Sequence, residues 1–139
     1  MIVTREQVRQ AVTARVESLR ASFADYIVEV EYDNQNTINR STQTLPFLAI
    51  TFVYSDGYQT SLGSNSLHRP LGTVVVEAFD KEGAGTARIN TMLDHFYRGL
   101  HLTDTMPPVR TYAARFSSKL PVQGWAAQAA LIPFWYDTE

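Results

Sequence analysis

The sequence predicts an α+β fold: a mixed, largely antiparallel sheet with two amphipathic helices packed on one face, in the order α-β-β-β-β-α-β-β. Three observations predict it. Residues 4–23 and 86–100 repeat apolar side chains at three- and four-residue spacing, the period of a helix with one buried stripe. The remaining apolar segments have strand length and are bounded by Gly, Pro, Asn and Asp. The chain has 139 residues, 45% of them apolar, which is enough for one core and too much for disorder. No internal repeat or linker divides it, so residues 1–139 read as a single domain with a polar loop or arm at 33–44.

Thr4 is a good helix N-cap, and Gln7 stands three positions later as its capping-box partner. Val8, Val12, Val16, Leu19 and Phe23 form the apolar stripe of a helix roughly 30 Å long. Ile27–Tyr32 alternates apolar and acidic residues, as a strand with one wet face does. Residues 33–44 are polar, with Ile38 as the only hydrophobic anchor. Phe47–Tyr54 is rich in aromatic and β-branched residues, Asp56-Gly57 is a turn pair, and Tyr58–Leu62 reads as the returning strand of a hairpin. Gly72–Phe79 is a strand with Val74, Val76 and Ala78 on one face and Thr73, Val75, Glu77 and Phe79 on the other. The turn at 80–85 feeds a helix with Ile89, Leu93, Phe96, Tyr97 and Leu100 on its stripe, and Gly99 marks its fraying end or cap. Val109–Phe116 reads as a strand that places Arg110 and Arg115 on opposite faces. Trp125–Tyr136 reads as the final strand despite its alanines, because Gly124 precedes it and Pro133 lies near its end.

Composition excludes several functions. Lys plus Arg is 12 and Asp plus Glu is 14, so the net charge of −2 disfavours a general nucleic-acid binder. There is no cysteine, which removes disulfides, thiolate chemistry and Cys-based metal sites. No stretch is long and apolar enough for a membrane helix, and MIVTREQVRQAV does not read as a signal peptide. Charged residues are 19% of the chain, against about 25% in ordinary domains. Part of the surface is therefore expected to be covered by copies of the chain itself.

Candidate sites are sparse. His95 and His101 are six residues apart, the wrong spacing for one helical face, and no HExxH occurs. Ser61, Ser64, Ser66, Ser117 and Ser118 lack a nucleophile-elbow context. Glu77 and Asp80 near a strand end read as a solvent-facing glutamate and a turn aspartate. The glycines at 83 and 85 read as a tight strand-to-helix turn, since no complete phosphate-binding fingerprint surrounds them. Arg40, Arg110 and Arg115 are candidate lumen or subunit contacts, and Trp125 and Trp135, of equal strand parity, are candidate interface aromatics.

Residues 62–100 read LGSNSLHRPLGTVVVEAFDKEGAGTARINTMLDHFYRGL. Leu62-Gly63, Arg69, Gly72, a hydrophobic strand, then Gly83 and Gly85 opening a helix with Phe96, resemble the tail-terminator-like proteins of long-tailed bacteriophages. The helix at 4–23, the strand at 47–54 and the closing strand at 129–136 fit the same layout in order. The resemblance implies a homohexameric ring at the head-proximal end of the virion tail, assembled in the host cytoplasm. Its implied partners are other copies of itself, the tail tube protein and a head-side connector or completion protein. It also implies that DNA passes through the lumen without sequence-specific binding and that no membrane is involved. It implies no enzyme activity, no cofactor and no metal. Gly63, Arg69, Gly72, Gly83 and Gly85 then stand as fold or assembly positions. The alternatives are another head–tail joining or tail-completion protein, a small nucleic-acid-binding adaptor and a small hydrolase.

Overall fold

Thr4 opens the first helix, α1 (Arg5–Ser22), in the computed structural model, which describes residues 2–33, 38–59, 68–83, 85–118 and 124–138. The capping box is formed: Gln7 N–H donates to Thr4 Oγ1 at 3.2 Å, and Thr4 N–H donates to Gln7 Oε1 at 2.9 Å. Val8, Val12, Val16 and Leu19 are buried. Their β-branched run lowers helix propensity, so packing on the sheet holds the helix.

The sheet contains β1 (Glu29–Tyr32), β2 (Phe47–Gln59), β3 (His68–Lys81), β4 (Arg110–Thr111), β5 (Arg115–Ser118) and β6 (Trp125–Trp135). The second helix, α2 (Ala87–Leu100), lies between β3 and β4 in the chain. The spatial order is β1-β2-β3-β6-β4, with β5 also on the outer side of β6. β1 is parallel to β2 and every other pairing is antiparallel. The fold is thus α+β, with a mixed, largely antiparallel sheet and two helices, as expected. Leu48, Ile50, Val74, Val76, Ala78, Ala130, Ile132 and Phe134 of the sheet share one core with the buried stripes of α1 and α2. Both helices therefore cover the same face.

Two element boundaries differ from the sequence reading. Asp56-Gly57 does not reverse the chain, and β2 continues through it to Gln59. The β2–β3 register shifts between Ser55 and Tyr58, which makes the turn pair a bulge. A side chain at Gly57 would collide with the backbone of Arg69 and Pro70 across the pair. Further on, the strand expected at 109–116 is divided into β4 and β5. Among the described residues, the merger before α2 and the division after it leave two helices and six strands, with three strands on each side of α2.

Two glycines serve packing. Gly99 lies inside α2, where Leu19 of α1 fills the space a side chain would need, and Arg15 Nε donates to Gly99 O at 3.1 Å. It is a helix-crossing point rather than a frayed end. Gly72 faces the helices beneath the ring of Phe134, where a Cβ has no room.

Candidate interaction face

Side chains alternate across a strand, so the odd-numbered residues of β3, β6 and the first part of β2 point away from the helices. This helix-free face has two different ends. At one end Phe47 stacks on Phe79 with centroids 4.9 Å apart, and Trp125 meets Phe47 edge-on at 5.0 Å. Ile38, the one apolar residue of the polar segment, packs on this cluster. Arg40 lies over the Phe47 and Phe79 rings at 5.4 and 5.3 Å and pairs with Glu31 at 3.6 Å. Lys81 stands 5.0 Å over Trp125. Residues 38–40 of the arm therefore seal this end with the chain's own residues.

The other end is open. Trp135 is half-buried, with the Arg69 guanidinium 4.0 Å above its ring and Arg110 at 5.4 Å. Arg69 donates a fork of two bonds to Asp137, at 2.8 and 3.1 Å. Tyr58 and Tyr112, both exposed, flank Arg69 and Trp135 respectively. Exposed cation–ring contacts contribute about 0.5–1 kcal/mol each. The cluster is therefore held more by the planar Arg69–Asp137 fork than by any single ring contact.

The bonds from Arg69 hold the Asp137 carboxyl below its ordinary value of 3.8, and the same fork raises the Arg69 guanidinium. A depressed carboxylate contributes stability that is full above its unfolded pKa and is lost as pH falls through the folded one. Asp137→Asn is therefore expected to melt below the wild type at neutral pH. The gap should close as pH drops below 3.8. Melting curves from neutral to strongly acidic pH check this, and a gap that stays constant throughout would count against the fork.

The candidate residues distribute as follows. Arg40, Arg69, Arg110, Arg115, Trp125 and Trp135 all lie on the helix-free face. Arg110 opposes Trp135 and Arg115 opposes Leu131, so they share a face rather than occupying opposite ones. The reason is the break at 112–114, which resets the strand alternation between them. Trp125 is 3% exposed and belongs to the chain's own packing, whereas Trp135 borders solvent. Gly72 lies on the helix side. Gly83 and Gly85 adopt φ of 88° and 82°, the left-handed region that favours glycine, in the turn before α2. Gly63 lies outside the described residues. Sequence reasoning missed Tyr58, Tyr112 and Asp137, which carry no motif: Tyr58 gains its place through the β2–β3 register, and Tyr112 and Asp137 through the placement of β6.

Other polar groups are committed to structure. His95 Nε2 lies 2.7 Å from the Leu19 carbonyl, which can only accept, so this nitrogen carries the proton. Ser22 Oγ donates to the same carbonyl at 2.9 Å. Although Ser22 Oγ and His95 Nε2 are 3.2 Å apart, the imidazole nitrogen facing the hydroxyl is a donor and not a base. These residues line a cleft of about 480 Å³ between the end of α1 and α2. Asp80, expected in a turn, is instead fully buried at the end of β3, where Arg88 of α2 grips it with bonds of 2.7 and 3.0 Å. Among the described residues no group of three or more His, Asp and Glu side chains is placed to hold a metal ion. Among them, no helix is long and apolar enough to cross a membrane.

No family model and no curated protein matches the sequence. Among 21 solved chains that match, one covers 99% of this chain and 96% of its own length, with a TM-score of 0.60 and 14% identity. At that identity the likeness shows a shared fold and nothing more.

Proposed function

We propose that this chain is a structural protein of a bacteriophage virion: a tail terminator that forms a ring on the head-proximal end of the tail tube. In that place it stops tube polymerisation and presents a surface to the head-side connector or completion protein. DNA passes through the ring without sequence-specific contacts, and no bond is made or broken. The observation that carries this reading is the helix-free face, which collects Arg69, Arg110, Arg115 and Trp135 in one layer that borders solvent. A surface of this kind, arginine and aromatic together on one sheet face, suits contact with other proteins. The glycine, Arg69 and strand pattern of residues 62–100 supports the assignment to the tail.

The test is deletion of the gene from the virus that encodes it, followed by electron microscopy of the tails. Overlong or unjoined tails are the expected result. Tails of normal length joined to heads overturn the reading, and leaking heads on tails of normal length assign the chain to the connector side instead.

A further inference from the structure

The two edges of the sheet carry opposite charge on the same face. At one edge is β1, whose Glu29 and Glu31 oppose Phe47 and Ala49 and so point to the helix-free side, while Val30 points toward the helices. At the other is β5, whose Arg115 and Ser117 oppose Leu131 and Ala129 on the helix-free side, while Phe116 points to the helix side. Phe116 is 53% exposed there, beside Tyr97. Glu29 and Arg115 are exposed, and neither has an ion-pair partner among the described residues. No strand among the described residues pairs with the outer side of β1 or β5.

The pairings also fix direction. β1 runs with β2, against β3, with β6 and against β5. The two free edges therefore run in opposite directions, and copies related by a modest rotation bring them together antiparallel.

We propose that the β5 edge of one copy adds to the β1 edge of the next, extending the sheet from chain to chain. This rests on the self-assembly proposed above and names the contact that performs it. One antiparallel register satisfies both faces at once: Arg115 opposite Glu31, Phe116 opposite Val30 and Ser117 opposite Glu29. Guanidinium then joins Arg40 at the Glu31 carboxylate on the helix-free side, an exposed ring covers Val30 on the other, and the open backbone groups of both edges are paired. A one-residue slip would set Arg115 against Val30 and Phe116 against a glutamate, so side-chain alternation excludes odd slips, and of the even registers this one alone sets both Arg115 and Phe116 opposite residues of β1. The contact joins unlike patches, so each added copy leaves one edge of each kind free. Such a contact closes into a ring or continues as a filament instead of stopping at two.

The test uses charge reversal on the two edges, at exposed Arg115 and at Glu31, whose side chain is 14% exposed and already pairs with Arg40, read by sedimentation velocity over a concentration series, with melting curves confirming that each variant folds. Arg115→Glu and Glu31→Arg are each expected to weaken self-association by at least about tenfold. An equimolar mixture of the two variants should recover it to within about threefold, because both kinds of junction again oppose unlike charges. Hydrogen exchange should slow at residues 29–32 and 115–118 in the assembled protein and not in the variants. A wild type that stays monomeric, or an Arg115→Glu variant that associates as well as the wild type, overturns the edge contact. The deletion assay is independent of both results: overlong tails on deletion, together with normal termination by Arg115→Glu, would sink this contact and leave the terminator reading standing.

Discussion

Phe134→Ala is expected to destabilise the fold by about 3–5 kcal/mol, the cost of removing a fully buried aromatic side chain. The residue sits on β6 with its ring over Gly72 of β3, and Phe52, Tyr54 and Tyr136 pack around it. The same geometry predicts a second effect of opposite logic. Gly72→Ala forces a methyl group into the space of that ring and should cost about 1–3 kcal/mol by overpacking. In the Phe134→Ala background the ring clash is gone and only the 2.9 Å approach to Val53 O remains, so the two costs should fall short of their sum by about 1 kcal/mol or more. Denaturant unfolding of the two single variants and the double variant measures this. Simple additivity would show that Gly72 is present for some reason other than the ring.

Arg88→Ala is expected to cost about 2–3 kcal/mol. It strands the Asp80 carboxylate, which has no solvent exposure and, among the described residues, otherwise keeps only the Lys81 N–H bond at 2.8 Å. Orphaning one member of a buried pair costs about 3–5 kcal/mol, and the lower figure reflects the 42% exposure of the Arg88 side chain, which lets water approach. Replacing both partners together, Asp80→Leu with Arg88→Met, should recover much of the loss, because no unpaired charge then remains. Thermal melts of the single and double variants check the order. A double variant less stable than Arg88→Ala would mean that the pair contributes net stability beyond satisfying its own charges.

Some of this architecture was legible because local chemistry and tertiary structure agree. Thr4 and Gln7 cap α1 whatever lies beyond, and the alternation of residues 73–79 shows which side of β3 meets the helices. Other parts were ambiguous at short range. Asp56-Gly57 carries the chemistry of a hairpin turn and of a bulge equally, and only the partner strand decides between them. The stretch WAAQAAL has helical propensity, yet β3 and β5 on either side make it a strand, and alanine fits where Ala127, Ala129 and Ala130 are all buried. Asp80 precedes a Lys-Glu-Gly turn and so read as part of it, because its partner lies eight residues on, in the helix. The candidate face was legible in its residue types and not in its assembly. Arg69, Arg110 and Trp135 converge only through the register of β6 with β3 and β4.

That register has a kinetic consequence. β6 pairs with β3 on one side and with β4 and β5 on the other, yet it follows every other element in the chain. On the ribosome, β3 has one edge without its partner strand until β6 emerges. The shared core takes Ala130, Ile132 and Phe134 from β6, so the fold is expected to form cooperatively and late, in the manner of sheets built from distant segments. Until its last strand emerges, the nascent chain is a template for pairing with its neighbours, and chaperone protection bears most directly on that interval.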